Sequence, residues 1–349
     1  MQKVGILTVI NCDNNGTDIQ AYAMQKLFEQ VDSRVELINY RAEKWEKEKN
    51  KVRIKDVVKF PLLLFKKYAH QEFRKKHLRI SRKQVFLDDL NNLPYEMIIV
   101  GSDQIWNLDL TEGDLGFFLP YRDVKYRKYS YAVSMGRLSV IDWEKKYDLH
   151  TALASFEDVS VREETAVRAL KEIGINARLD LDPVLMLEKE IWDELAVYKS
   201  RKKYILLYLA QANKAAIAYA EALACQEQLD IIWITDSVKM YKNIKCKRFV
   251  GVESWIGYVK NAELVITNSY HGLAMSVELN TPVCVFELDG NIQSNRRMLD
   301  LIDNLDLRFA LWKNDGTVGD YQEDWSKIND KLALLRKRSM IYIQEEIKS

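Results

Sequence analysis

The sequence is short of the residues that break or staple a chain. Its 349 residues include 5 Pro and 13 Gly, which excludes collagen-like and broadly disordered classes. The four cysteines, Cys12, Cys225, Cys246 and Cys284, form no CxxC pair. Their spacing offers neither a disulfide framework nor a zinc site, and no metal is expected. Reduced, mostly buried thiols in a reducing compartment, the cytoplasm, are the simple expectation. No apolar run reaches about 18 residues, so no spanning helix is expected. The run after Met1-Gln2-Lys3 is short, lacks a small-residue cleavage site, and reads as a strand rather than a signal peptide. Net charge is nearly absent too. The 52 Lys and Arg against 51 Asp and Glu leave +1, which removes the basic footprint of a nucleic-acid partner. There is no GxxxxGK[ST] loop, no GxGxxG after the first strand, and no GxSxG, HExxH or kinase set.

What charge there is lies gathered. Arg41 to Lys83 holds 16 Lys and Arg against 5 Asp and Glu, and the remainder of the chain is net acidic. Within this stretch, Val57-Val58-Lys59-Phe60-Pro61-Leu62-Leu63-Leu64-Phe65-Lys66-Lys67 and Phe73-Arg74-Lys75-Lys76 mix apolar and basic residues. The segment reads as largely helical. Two readings stay open for it: a basic amphipathic surface for an anionic membrane, or a solvated helix pair packed by its apolar face.

The rest of the chain alternates strand and helix patterns. An apolar run at Lys3–Ile10 is followed by turn formers, a helical period over Thr17–Gln30 and a strand at Val35–Asn39. Further strands are expected at Met97–Val100, Tyr129–Val133, Val159–Val161 and Ala177–Leu181. A second series begins at Tyr204–Leu209. It continues with helix Asn213–Gln228, strand Asp230–Thr235, helix Ser254–Asn261, strand Leu264–Thr267, helix His271–Leu279 and strand Val283–Phe286. This order is that of helix-covered parallel sheets. It predicts an α/β chain of two Rossmann-like domains, 1–195 with the basic insertion 41–83, and 196–349. A cleft is expected between them, with the C-terminal helix from about Asp324 packing back on the first.

In open parallel sheets ligands bind beyond the carboxyl ends of the strands, and three turns there are rich in polar groups. The first is Asn14-Asn15-Gly16-Thr17-Asp18, opening a helix whose N-terminus suits an anion or a hydroxyl. The second is Gly101-Ser102-Asp103-Gln104-Ile105-Trp106-Asn107, where carboxylate, amide and indole groups suit a sugar, its hydroxyls and its flat face, or where Ser102 or Asp103 caps a helix and Trp106 lies in the core. The third is Thr267-Asn268-Ser269-Tyr270-His271-Gly272. There an imidazole that exchanges a proton near neutral pH stands at a helix start able to hold phosphate. Arg162, ending a strand, is a fourth candidate, as a bidentate anion binder or as half of an ion pair with Glu163 or Glu164. His70, His77 and His150 lie in charged helical surroundings and read as surface residues.

Taken in order, several runs resemble the polysaccharide pyruvyl transferase family over nearly the whole chain. They are the Val4-Gly5-Ile6-Leu7-Thr8 strand with Asn14-Asn15-Gly16 and Gln20-Ala21-Tyr22-Ala23, then Val100-Gly101-Ser102-Asp103-Gln104-Ile105-Trp106-Asn107, then Ser160-Val161-Arg162-Glu163-Glu164, Leu181-Asp182-Pro183 and Ile266-Thr267-Asn268-Ser269-Tyr270-His271-Gly272. The Gly101–Asn107 run is the most specific. The resemblance implies a glycosyltransferase-B-like fold. It also implies transfer of a pyruvyl group from phosphoenolpyruvate, a donor substrate and no cofactor, to two hydroxyls of a sugar in surface-polysaccharide biosynthesis (exopolysaccharide or capsule), giving a cyclic ketal.

By the same resemblance His271 is the acid/base residue and Arg162 an anchor for the donor's carboxylate or phosphate. Asn268, Ser269 and Gly272 fall on the donor side. Asn14, Asn15, Gly16, Asp18, Ser102, Asp103, Gln104, Trp106 and Asn107 fall on the acceptor side. Some family members carry Arg-Leu-His where this chain has Ser269-Tyr270-His271, and Arg296 or Arg297 is the expected substitute for the missing arginine. Asn15 and Thr17-Asp18 also depart from the Tyr and small apolar residues more usual in the first turn, which bears on acceptor choice. The expected partners are a lipid-linked or nucleotide-linked sugar, the inner face of the cell membrane through 41–83, and further copies of the chain. A nucleotide-sugar glycosyltransferase and a non-catalytic subunit of a polysaccharide complex stay open as alternatives.

Overall fold

The computed structural model describes residues 3–30, 34–42, 60–136, 140–198, 200–237, 239, 241–248, 250–288, 292–312 and 324–347. The chain divides into two units, one of Met1–Val58, Arg74–Met186 and Leu334–Ser349, the other of Lys59–Phe73 and Leu187–Ala333. Apolar runs of strand length become strands because both faces are covered. Every residue of β1 (Val4–Leu7) and β3 (Met97–Gly101) is buried. In the first unit the sheet runs β2–β1–β3–β4, with β2 at Val35–Leu37 and β4 at Arg127–Tyr131, and each pairing is parallel. A parallel pair, β5 (Ser160–Val161) and β6 (Arg178–Leu179), continues beside β4 through the bridges Tyr129–Asp158 and Val133–Val161.

The second unit repeats the plan. Its strands are β7 (Tyr204–Tyr208), β8 (Asp230–Ile234), β9 (Lys245–Lys247), β10 (Leu264–Thr267) and β11 (Val283–Val285), in the parallel order β11–β10–β7–β8–β9. The edge strand β9 has no counterpart in the sequence pattern. It is Lys-Cys-Lys and mostly exposed, a short charged edge that resists pairing with other chains. Buried strands of this kind read as unbroken apolar runs because helices cover both faces. In each sheet the strand order reverses once near its middle, between β1 and β3 and between β7 and β10. Loops that leave neighbouring strands in opposite directions open a crevice at such a point.

The division between units falls at Met186–Leu187, upstream of the 195/196 boundary expected from sequence. Helix Lys189–Leu195 goes with the second unit because Trp192 is fully buried and the helix packs on helix Val252–Lys260. Lys260 pairs with Asp193 at 2.8 Å, and the Val197 amide donates to the Glu253 carbonyl at 3.2 Å. The basic stretch is helical over Phe60–His77, while 43–59 lie outside the described residues. Lys59–Phe73 belongs to the second unit rather than to an N-terminal insertion. There Lys66 pairs with Asp236 at 2.6 Å.

The C-terminal helix Trp325–Tyr342 packs onto the first unit from Leu334 onward, as its sequence position suggested. Tyr342 is fully buried, its hydroxyl donates to the Ser130 carbonyl at 3.1 Å, and the Arg178 guanidinium sits 3.9 Å from its ring centroid. Arg336 donates to the Leu185 carbonyl at 2.6 Å, and Ser339 Oγ accepts from the Leu181 amide at 2.9 Å. Two surface expectations are corrected. His70 is fully buried, on the inner face of helix Phe60–His77 beside Phe73. Cys12 and Cys225 are exposed, and of the four thiols Cys284 alone is buried.

One buried charge holds the far side of the first sheet together. Lys128, on β4, donates to the carbonyls of Leu119 (2.9 Å) and Tyr121 and to Ser155 Oγ (2.8 Å). Burial pulls its ammonium down to about 8, yet three acceptors converge on its three N–H groups. Lys128→Met removes the donor from two carbonyls, that of Leu119 being buried. It is expected to destabilise the protein by about 2 kcal/mol, read as a lower urea midpoint at unchanged slope.

Candidate functional site

Both strand-order reversals carry polar turns, and side chains tie each pair of turns together. In the first unit the turn after β1 opens helix Asn15–Glu29, capped by Asn14, whose Oδ1 accepts from the Gly16 amide at 2.8 Å and the Thr17 amide at 3.3 Å. Thr17 Oγ1 donates to Asp103 Oδ2 at 3.1 Å, and Thr8 Oγ1 to the Ser102 carbonyl at 3.2 Å, so the β1 turn is bound to the β3 turn. The β3 turn is tightly built. A Cβ on Gly101 would stand 2.1 Å from the Tyr131 carbonyl oxygen. Asp103 sits at φ +74, a left-handed conformation that Asp tolerates better than most residues. Gly136 lies over the same turn, where a Cβ would meet Gln104 Oε1 at 2.4 Å and Asn107 Nδ2 at 2.5 Å.

Several residues expected to meet substrate are instead used by the fold. Trp106 is fully buried, stacked on Phe118 at 5.4 Å, with its Nε1 donating to the Phe117 carbonyl at 2.8 Å. It is core and not a sugar platform. Asp18 is fully buried and takes Arg74 Nε at 2.7 Å, while Arg74 Nη2 donates to Asp13 Oδ1 at 3.0 Å and to the Cys12 carbonyl at 2.7 Å. Burial works against the Arg74 charge, but Asp18 and Asp13 more than offset it, and its pKa is raised overall. Arg74 thus braces the first turn from 56 residues away. Asn15 and Gly16 are buried in the same turn. Ser102 is fully buried, its Oγ donating to the Ala132 carbonyl at 2.8 Å.

Arg162 is buried in the same way, and of the two readings left open for it the ion pair with Glu163 is present, Nε lying 3.8 Å from Glu163 Oε1. Its side chain is 1% exposed, and Nη1 donates to Asp182 and, at 3.1 Å, to Ser102 Oγ. Neighbouring Glu163 accepts from Ser134 Oγ and from the Met135 amide at 3.4 Å. The guanidinium is therefore a buried brace beneath the β3 turn rather than an anchor standing in solvent. Asn107 is buried as well, Oδ1 accepting from the Leu110 amide at 3.2 Å and Nδ2 facing Gln104 Oε1 at 3.3 Å. Asp103, Gln104 and Asn14 remain at least partly exposed at this end of the sheet.

The second unit's turns are joined by Asn268. Its Oδ1 accepts from the Ala210 amide at 2.7 Å, and its Nδ2 donates to the Gln211 carbonyl at 2.7 Å, so its amide pins the loop after β7 and is not left for a donor. Thr267 Oγ1 donates to the Tyr208 carbonyl at 2.6 Å and accepts from the Ser269 amide at 3.0 Å. Gly272 is there for close packing, since a Cβ would stand 2.4 Å from Thr267 Oγ1. This places helix Tyr270–Glu278 with His271 in its first turn, and the N-cap Ser269 makes no side-chain bond to that turn. His271 is 9% exposed, and the Tyr270 ring stands edge-on to it at 5.4 Å. Arg297 is half-buried, with its guanidinium 5.7 Å from the Tyr270 ring centroid, whereas Arg296 is exposed. Geometry thus separates the two arginines. Among the described residues no group of three His, Cys, Asp or Glu is placed to hold a metal.

The family model described as polysaccharide pyruvyl transferase matches residues 14–290. The chain belongs to the polysaccharide pyruvyl transferase family. No curated protein matches this transferase in sequence. Solved structures do match. The UDP-GlcNAc 2-epimerase of Methanocaldococcus jannaschii is similar with TM-score 0.53 at 13% identity, covering 96% of this chain and 93% of that one. The Neisseria meningitidis UDP-GlcNAc 2-epimerase bound to UDP-GlcNAc gives 0.50 at 8%, covering 97% and 94%. The Anabaena protein HepE in complex with UDP and glucose gives 0.50 at 10%, covering 99% and 98%. At these identities the likeness shows the fold, which is glycosyltransferase-B-like.

Removing one half of a buried ion pair leaves the other charge stranded. Arg162→Met is therefore expected to cost about 3–5 kcal/mol and to lower the thermal midpoint. A variant as stable as wild type, yet unable to bind donor, would return Arg162 to a direct role.

Proposed function

We propose that this transferase moves a pyruvyl group from phosphoenolpyruvate to two hydroxyls of a sugar, forming a cyclic ketal. The observation that carries the reading is the His271 turn, an imidazole in the first turn of a helix, with the Arg297 guanidinium 5.7 Å from the ring centroid of the neighbouring Tyr270. Phosphoenolpyruvate is an anion whose methylene must take a proton, and that pairing of needs matches the turn.

In the proposed reaction the protonated imidazole of His271 gives its proton to C3, which becomes a methyl group. C2 is left as an oxocarbenium-like centre, and a sugar hydroxyl oxygen bonds to it. The proton from that hydroxyl returns to the imidazole. The C2–O bond to phosphate then breaks, a second hydroxyl closes the ring, and its proton leaves with inorganic phosphate. The first helical turn at Tyr270–Gly272 faces the donor's negative charge with its dipole. Arg297 supplies the guanidinium that Ser269 does not. Asp103 and Gln104, partly exposed at the end of the first sheet, are the polar side chains proposed to meet sugar hydroxyls, and the Arg162–Asp182 pair holds their turn in place. Phosphoenolpyruvate is consumed as a substrate, and the scheme uses no cofactor.

The similar solved structures that hold UDP or UDP-GlcNAc favour one rival, a nucleotide-sugar enzyme on the same fold. Thermal unfolding separates the two. Phosphoenolpyruvate at a hundred times its dissociation constant is expected to stabilise the protein by about 2.7 kcal/mol. Stabilisation by UDP- or GDP-sugars alone would select the rival, and stabilisation by neither would leave a non-catalytic subunit.

His271→Ala is expected to lower turnover by a factor of about 100 to 10,000, with the thermal midpoint retained. Near-wild-type ketal formation, read by product mass, would remove His271 from the mechanism. Arg297→Met is expected to raise the phosphoenolpyruvate dissociation constant by at least about tenfold, while Arg296→Met leaves it unchanged.

A further inference from the structure

We infer that helix Phe60–His77 seats the enzyme on an anionic lipid surface. Leu64, Phe65 and Tyr68 are 50%, 69% and 63% exposed, three large apolar side chains within five residues. Leu64, Tyr68, Gln71 and Lys75 follow i, i+4, i+7, i+11 spacing and share one stripe of the helix, and Phe65, Glu72 and Lys76 form the stripe beside it. The opposite side is used inward, by the buried His70 and Phe73. Lys66 and Arg74 spend their charge internally, on Asp236 and on Asp13 and Asp18. Lys67 and Lys75 are exposed, and Glu72 is the single carboxylate between Phe60 and Arg79.

A leucine, a phenylalanine and a tyrosine in water call for a partner, and the surrounding lysines require that partner to be anionic. Lipid meets both demands, because apolar side chains enter the acyl boundary while ammonium groups reach headgroup phosphates. A second copy of the chain fits poorly. A two-fold contact through this face would set its lysines against the same lysines. No helix among the described residues is long and apolar enough to cross a membrane, so the contact is with the surface alone. The inference is independent of the donor reading, since vesicle binding is measured without turnover.

The test is co-sedimentation of the full chain with phosphatidylcholine vesicles, with and without phosphatidylglycerol, at low and high salt. Binding is expected only to the anionic vesicles and is expected to weaken with salt. Reversing two charges near such a surface, in Lys67→Glu/Lys75→Glu, is expected to lower the partition coefficient by at least about thirtyfold. The variant Leu64→Ser/Phe65→Ser/Tyr68→Ser is expected to lose binding as well, with the thermal midpoint of both variants unchanged. Absence of wild-type binding to anionic vesicles, or binding by both variants equal to wild type, would overturn the inference. A wild-type dimer that the serine variant breaks would overturn it in favour of a second copy.

Discussion

Parallel strand pairing is the constraint on which the rest of this structure depends. Each pairing within the two sheets is parallel, so within each sheet all carboxyl ends emerge on one side. Reversal of strand order between β1 and β3, and again between β7 and β10, parts the loops there and leaves helix N-termini facing the gap. Chemistry is placed before any particular side chain is chosen. The turn pairs are then fastened in the same manner in both units. Thr17 reaches Asp103 in the first, and Asn268 reaches Ala210 and Gln211 in the second.

Fastening a turn consumes polar groups. A buried donor or acceptor left unpaired costs about 1–3 kcal/mol, so a crowded polar turn at the end of a buried strand first satisfies itself. Asp18 goes to Arg74, Ser102 to Ala132 and Arg162, Arg162 to Asp182, and Asn268 to the loop after β7. Asn14, Asp103 and Gln104 are among the polar residues left at least partly exposed at the first reversal. The residues that a polar turn displays in sequence are thus of two kinds, and the brace is often the more strongly charged.

This division explains what was legible in the sequence. Strands such as β1, β3, β7 and β10 are readable as apolar runs because both faces are buried, and the turns are readable because they follow those runs directly. Strand β4, with Lys128 and Ser130 buried in it, lies two residues before the expected Tyr129–Val133. Strand β9 was not readable, since an edge of Lys-Cys-Lys carries no burial signal. Trp106 was misplaced because an indole beside carboxylate and amides looks the same whether its ring faces sugar or Phe118. Arg74 was hidden for a different reason. Its partners Asp13 and Asp18 lie across more than fifty residues, and a local reading sees only another cation in a basic run. Arg162 reads equally as a ligand's anion binder or as half of an ion pair, and the structure pairs it within the chain, with Glu163 beside it and with Asp182, which lies 20 residues on.

Ser269 shows how the same physics bears on the donor side. Where some family members place an arginine two residues before the histidine, this chain has a small residue that leaves the helix start without a side-chain cap. The dipole and amides of that turn remain, but the fixed cation does not. Arg297, on helix Ile292–Asn304, lies 5.7 Å from the Tyr270 ring centroid, and a guanidinium held near an aromatic face keeps its charge while losing little freedom on binding. A cation delivered from a separate helix can be withdrawn or replaced without altering the turn that carries His271. Under the proposed function the proton donor is therefore fixed by the strand-to-helix turn, while the anion clamp is carried by a different element and is free to vary independently of it.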